Sequence, residues 1–196
     1  MNSHDLLRWL AGSEMGGRIR TLDWAKTPLG PIEQWPAALV STLGVCVTAR
    51  FPMAIYWGRD RWLLYNDAWR PILGDKHPWA LGRPAHQVWP ELWETIHPLF
   101  EAVQTQAQGT WRSDELLPMQ RFGYTEECYF DYSFNPIRGQ DGTVEGILNI
   151  VQETTYRVLN ERRTHLLREL ASQSGSAQDD DHACALTLRV LATDPA

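Results

Sequence analysis

The clearest rhythm in the chain lies in ECYFDYSFNPIRG, residues 127–139. Phe130, Tyr132 and Phe134 alternate there with Tyr129, Asp131 and Ser133. A period of two is that of a strand with one buried face. Asp141-Gly142 follows, a pair suited to a tight hairpin turn, and VEGILNIVQE supplies the returning strand. Upstream, TWRSDELLPMQ reads as a strand from Thr110 to Gln120, with a turn at Phe122-Gly123-Tyr124. Two shorter apolar runs, residues 53–57 and 62–65, flank the polar turn Gly58-Arg59-Asp60-Arg61 and predict another hairpin.

Between these strand groups the period changes to that of helices. Asn66 or Asp67 is placed to cap a helix of about two turns that stops at Gly74. Residues 84–90 predict a short helical piece. Leu92, Ile96, Leu99, Phe100 and Val103 predict the longest helix of the core, over 91–107. Pro98 interrupts that pattern and suggests a start at His97. Before the first hairpin, Ala37, Leu39, Val40, Leu43 and Val47 follow Pro36 at helical spacing. Further back, Gly16-Gly17, Pro28, Gly30 and Pro31 predict an extended, wrapping segment anchored by Trp24, Leu29 and Trp35. Ser3 is placed to cap a short helix over 4–11. After Glu153, Thr155, Leu159, Leu166 and Leu170 form a narrow stripe that calls for a partner helix.

The order is two strands, several short helices, then three strands. It predicts an α+β domain: a five-stranded antiparallel sheet with helices on one face. The expected organisation is an N-terminal helical, wrapping extension (1–50), a core (51–153), a linker helix (154–172), and a polar linker with the start of another domain (173–196).

Composition narrows the function. With 196 residues and 43% apolar, one cored domain with flanks is expected. The net charge of −6, with no basic stripe, argues against nucleic acid as a partner. No apolar run is long enough to span a membrane, and the N-terminus lacks the features of a secretory signal. Cys46, Cys128 and Cys184 are few and scattered, which fits a reducing cytoplasm and no metal cluster. Ten tryptophans read first as core filler. Glu126-Glu127 and Asp179–Asp181 read as solvated charge. The sequence lacks a Gly-rich phosphate loop, GxSxG and HExxH, so the chain itself is not read as an enzyme. His165 reads as a solvent-facing helix position.

Four segments in order, WGRDRWLLYNDAWRPILG, LGRPAHQVWPE, FNPIRGQDGTVEGILNIV and ETTYR, resemble a PAS domain. The leader GSEMGGRIRTLDWAKTPLGPIEQWP is similar to that of bacterial sensor histidine kinases in which a PAS domain precedes a GAF domain. HACALTLRVLATDPA resembles a truncated GAF start. The resemblance implies a cytoplasmic sensory domain that detects a small ligand or cofactor state and relays it through the C-terminal helix to a kinase. It also implies a homodimer formed through the N-terminal and linker helices. The alternative is a ligand-free dimerisation module.

By position, Asn66 matches the family's asparagine at the hairpin-to-helix junction. Glu153 stands where aspartate is usual in the exit motif, and Thr155 keeps its threonine; these three would relay the signal. The implied pocket lies between sheet and helices. Its candidate lining is Trp57, Tyr65, Trp69, Trp93, Ile96, His97, Phe100, Tyr132, Phe134 and Asn149. The cofactor, if any, is unidentified. A flavin photoadduct needs a thiol where Gly82-Arg83-Pro84-Ala85-His86 places the methyl of Ala85. A haem reading rests on His97 as axial ligand, against the simpler reading of a partly exposed histidine near a helix start. No other metal ligand set is expected.

Overall fold

The computed structural model describes Leu10, residues 12–174, Cys184 and Leu188. The chain divides into two compact units, Met1–Glu153 and Thr154–Ala196. The expectations for a Ser3-capped helix, for the acidic run Asp179–Asp181 and for a GAF-like start after residue 181 lie outside the described residues, apart from the isolated positions above.

The first unit is built on five strands: β1 (Met53–Trp57), β2 (Trp62–Tyr65), β3 (Thr110–Gln120), β4 (Thr125–Arg138) and β5 (Val144–Glu153). They form one sheet in the order β2-β1-β5-β4-β3, and each neighbouring pair is antiparallel. The two hairpin groups therefore meet at β1 and β5, where Ala54 sits opposite Asn149 and Tyr56 opposite Ile147. The alternation read in β4 is realised: Phe130, Tyr132 and Phe134 are buried, and Tyr129, Asp131 and Ser133 are half-buried.

The intervening helices are α3 (Arg70–Leu73), α4 (Ala85–Val88) and α5 (Trp93–Gln106), and they cover the face that carries Tyr56 and Phe134. Phe100 of α5 packs on both rings, with centroids 4.8 and 4.7 Å away. α5 begins at Trp93 rather than at His97, with Pro98 inside it. The Leu92 carbonyl already accepts from Thr95 and Ile96, so the helix is nucleated before the proline arrives. The proline removes only the bond to the carbonyl one turn back.

The junction into α3 is organised by Asn66, which is 1% exposed. Its Oδ1 accepts from Met53 N and Trp69 N, both at 3.1 Å. Its Nδ2 donates to Ala49 O at 3.2 Å and Phe51 O at 2.7 Å. One carboxamide thus joins the exit from the preceding helix, the start of β1 and the helical turn Asp67–Trp69.

That preceding helix, α2 (Ala37–Thr48), runs beside β1 on the opposite face of the sheet. Pro36 lines a surface hollow with Trp57, and Cys46 Sγ lies 3.4 Å from Met53 O. Burial pushes the Cys46 thiol up to about 12.

The stretch expected to be extended contains a helix instead, α1 (Glu14–Thr21). Ser13 Oγ accepts from Gly16 N at 3.0 Å and caps it. Asp67, next to Asn66, accepts from Met15 N at 2.7 Å and Glu14 N at 3.2 Å. Gly16 is there because of packing: a Cβ would lie 2.2 Å from Leu10 O. The helix buries Met15 and Ile19, and Glu14 pairs with Arg70 of the core. Trp24 and Trp35 then anchor the wrapping segment edge to face, 5.0 Å apart, as expected.

His77 fastens the same contact. Its Nδ1 is 2.9 Å from Tyr65 Oη and its Nε2 is 3.7 Å from Glu14. Burial lowers its pKa, Arg70 and Arg18 lower it further, and Glu14 opposes them.

The second unit contains α6 (Thr155–Ser174), with Arg157–Glu161 and His165–Glu169 paired one turn apart. His165 faces solvent there, as expected.

Two outcomes follow for stability. Asn66→Ala is expected to cost about 3 kcal/mol, since it strands several backbone groups at once. A lower urea midpoint at unchanged slope would show it. The lowered pKa of His77 means the unfolded chain takes up its proton first. Its contribution is complete above the ordinary value of about 6.5 and is lost as pH falls from there through the lower folded-state value. Thermal scans from about pH 7.5 to 5.5 are expected to show a falling midpoint, and His77→Gln is expected to flatten that slope.

Candidate functional site

Between the sheet and helices α3–α5 lies a cavity of about 40 Å³. The sheet contributes Tyr56, Leu117, Met119, Phe130, Tyr132, Phe134, Asn149 and Val151. The helical side contributes Trp69, Ile72, Trp89, Leu92 and Ile96. These side chains converge because inward-facing positions recur every second residue in three adjacent strands.

The wall is largely apolar, but it carries three kinds of polar group. Tyr56 Oη accepts from Trp89 Nε1 at 3.0 Å, and burial raises the phenol's pKa well above its ordinary value. Tyr132 Oη donates to Glu115 at 2.5 Å; burial first, then that carboxylate, keep it protonated. Trp69 Nε1 and Asn149 Oδ1 are buried without a protein partner.

Two residues beyond Val151, on the same face of β5, Glu153 meets Arg121 from the β3–β4 turn. Arg121 Nη1 and Nη2 donate to Glu153 at 2.9 and 3.2 Å, a bidentate pair. Nη2 also reaches Glu126 at 2.8 Å and Cys128 Sγ at 3.1 Å. Burial disfavours the guanidinium charge, but the bonds to Glu153 and Glu126 outweigh it and raise the pKa. The backbone of Arg121 holds the other wall. Its carbonyl accepts from Asp75 N at 2.9 Å and presses on Gly74 (φ +54°), where a Cβ would approach that oxygen to 2.7 Å.

A family model described as the PAS fold matches residues 52–159, more than half of the chain. The chain belongs to the PAS family. Among solved structures, an RsLOV d2 variant is 12% identical, covering 81% of this chain and 98% of its own, with a TM-score of 0.50. A sensory box sensor histidine kinase from Vibrio cholerae is 16% identical over 59% of this chain and 86% of its own (TM-score 0.40). The PAS domain of Bordetella pertussis BvgS is 18% identical over 67% and 97% (TM-score 0.41). At such identities the likeness is one of fold.

Within this PAS domain, five of the residues expected to line the pocket do so: Trp69, Ile96, Tyr132, Phe134 and Asn149. The others are placed differently. Trp57 lies on the opposite face, against Gly146 and near Pro36, because the β1–β5 register turns Tyr56 inward. Tyr65 shares the inner face but sits on edge strand β2, and its hydroxyl is taken by His77. Phe100 is buried one layer behind the wall, between Tyr56, Phe134 and Trp93. Trp93 stacks on His97 at 4.8 Å, away from the cavity.

The His97 side chain is 48% exposed, beside Glu101. It does not fit the role of axial ligand to a haem in this cavity. The space is also far below the ~300–1,000 Å³ of sites for ligands of that size. Ala85, where the photoadduct thiol would stand, is buried at the start of α4.

Glu126 is not the solvated charge expected from its sequence; it is an ion-pair partner of Arg121. Ile72, Leu92, Phe130, Val151, Tyr56, Trp89, Leu117 and Met119 also line the cavity and were missed by sequence reasoning. The alternation within β3 was the available signal for the last two.

Phe134 closes one side of the cavity and supports Tyr56, Phe100 and Tyr132. Phe134→Ala is expected to enlarge the cavity and destabilise the fold by about 3–4 kcal/mol. Chemical denaturation checks the cost.

Proposed function

We propose that this chain is the sensory PAS domain of a cytoplasmic signal-transduction histidine kinase. The cavity binds a small ligand, and its occupancy is relayed through β5 to helix α6 and a downstream kinase. The observation that carries this reading is the placement of Asn149, Val151 and Glu153 on one face of β5. The first two line the cavity, and the third is gripped by Arg121. Arg121 also holds Gly74 and Asp75, which follow cavity-lining Ile72. A change in the spacing of the two walls therefore alters the Arg121–Glu153 pair at the end of β5. Thr155 opens α6 two residues later. Two such helices, paired between subunits, provide the two-state element that a relay needs.

A second reading, a ligand-free dimerisation module, is favoured by the small size of the cavity. Under it the aromatic rings fill the core and the output is dimer geometry alone.

Native mass spectrometry of the purified chain is expected to show a dimer that carries a small co-purifying molecule. Hydrogen exchange in residues 155–172 is expected to respond to removal of that molecule, and Arg121→Gln to abolish the response. A dimer with no bound mass and an unresponsive helix favours the second reading. A monomer at high micromolar concentration counts against both.

A further inference from the structure

The sensing reading leaves open what kind of molecule the cavity takes, and its wall answers in chemical terms. Trp69 is 2% exposed and Asn149 5%. One offers an indole N–H donor and the other a carboxamide oxygen acceptor, and neither has a protein partner. A buried polar group left unpaired costs about 1–3 kcal/mol, so two in one small space call for an occupant that satisfies both.

The rest of the wall restricts that occupant further. Among the described residues it has no carboxylate, amine, imidazole or guanidinium. Its phenols already have protein partners: Tyr56 is bonded to Trp89 and to the Asn149 side chain, whose Oδ1 stays unpaired, and Tyr132 donates to Glu115. An ion would find no countercharge and would bear the full cost of desolvation. The volume is well below the ~150 Å³ of an apolar cavity that admits benzene, so the occupant has only a handful of non-hydrogen atoms.

We infer that the ligand, on the sensing reading above, is a small neutral molecule with a carbonyl or hydroxyl oxygen facing Trp69 Nε1 and an N–H or O–H group facing Asn149 Oδ1. Small primary amides and hydroxylated carbonyl compounds are the class that meets both demands. A compact apolar remainder rests on Tyr56, Phe130 and Phe134.

Three probes of nearly one shape separate the chemistry. Acetamide has donor and acceptor, acetone only the acceptor, and acetate a charge. They are titrated into the ¹⁵N-labelled full chain, stripped of any co-purifying molecule. The readout is the Trp69 indole N–H resonance, assigned by its loss in Trp69→Phe. Acetamide is expected to shift it saturably. Acetone is expected to bind about tenfold more weakly for want of one hydrogen bond, and acetate to give no saturable shift. Asn149→Leu is expected to remove the preference for acetamide over acetone.

Equal binding of acetone and acetamide, saturable binding of acetate, or no saturable shift, as for a cavity that holds only water, overturns the assignment. Failure here is distinct from failure of sensing. A co-purifying ligand that is larger or charged, with a responsive α6, sinks this chemistry and leaves the sensory reading standing.

Discussion

The carboxamide of Asn66 is the constraint on which the rest of the first unit depends. A buried amide has two donors and two acceptor lone pairs, and here every one of those capacities meets a backbone group. Three chain segments that differ in type, a helix exit, a strand start and a helical turn, are held at one point. No apolar side chain would set their relative orientation, because dispersion is not directional. Trp69, whose indole faces the cavity, has its own backbone N–H in this cluster. The wall of the site is therefore positioned by the residue that organises the fold. Asp67, one position on, does for α1 what Asn66 does for the core. Consecutive residues thus attach the sheet to its helices and the extension to the domain.

The cavity shows how closely packing and function compete. Rings from β1 and β4 interlock with Phe100 of α5, and the space left is small. Packing alone would favour closing it with one more methyl group. Instead, two polar atoms are kept facing it. A purely structural core tends to place leucine or valine at the position of Asn149, in the middle of a strand flanked by Ile147 and Val151. On the sensing reading, these two unpartnered atoms trade stability for recognition.

Much of this was legible in the sequence, and the failures have physical causes. Strand β4 was readable because Phe130, Tyr132 and Phe134 are buried while the residues between them are less so, and period two is written into them; β5 was readable from the Asp141-Gly142 turn before it. β1 was readable as a strand but not in its facing. Ala54, Ile55, Tyr56 and Trp57 are all buried, since α2 covers one face and α3–α5 the other. Without alternation, only the register with β5 decides that Tyr56 and not Trp57 looks inward. α1 was hidden for a different reason. Gly16-Gly17 has the composition of a breaker, yet Gly16 serves a close approach of Leu10, and the helix is held by Ser13 and by Asp67, more than fifty residues away. Local propensity cannot register a cap supplied from that distance. Glu126 was misread likewise, because its partner Arg121 is brought to it by a turn.

Arg121 is the link on which the proposed relay depends. Its guanidinium is buried with two carboxylates, an arrangement that tolerates little displacement, because a loosened partner leaves charge without solvent. Its backbone, a few bonds away, accepts from Asp75 N and runs so close to Gly74 that a side chain there would collide with it. One residue therefore joins the helical wall of the cavity to the end of β5. Soft packing would absorb a movement of a few tenths of an ångström within the core. On the proposed relay, a geometry fixed at both ends passes it on to Glu153, the last residue of the sheet.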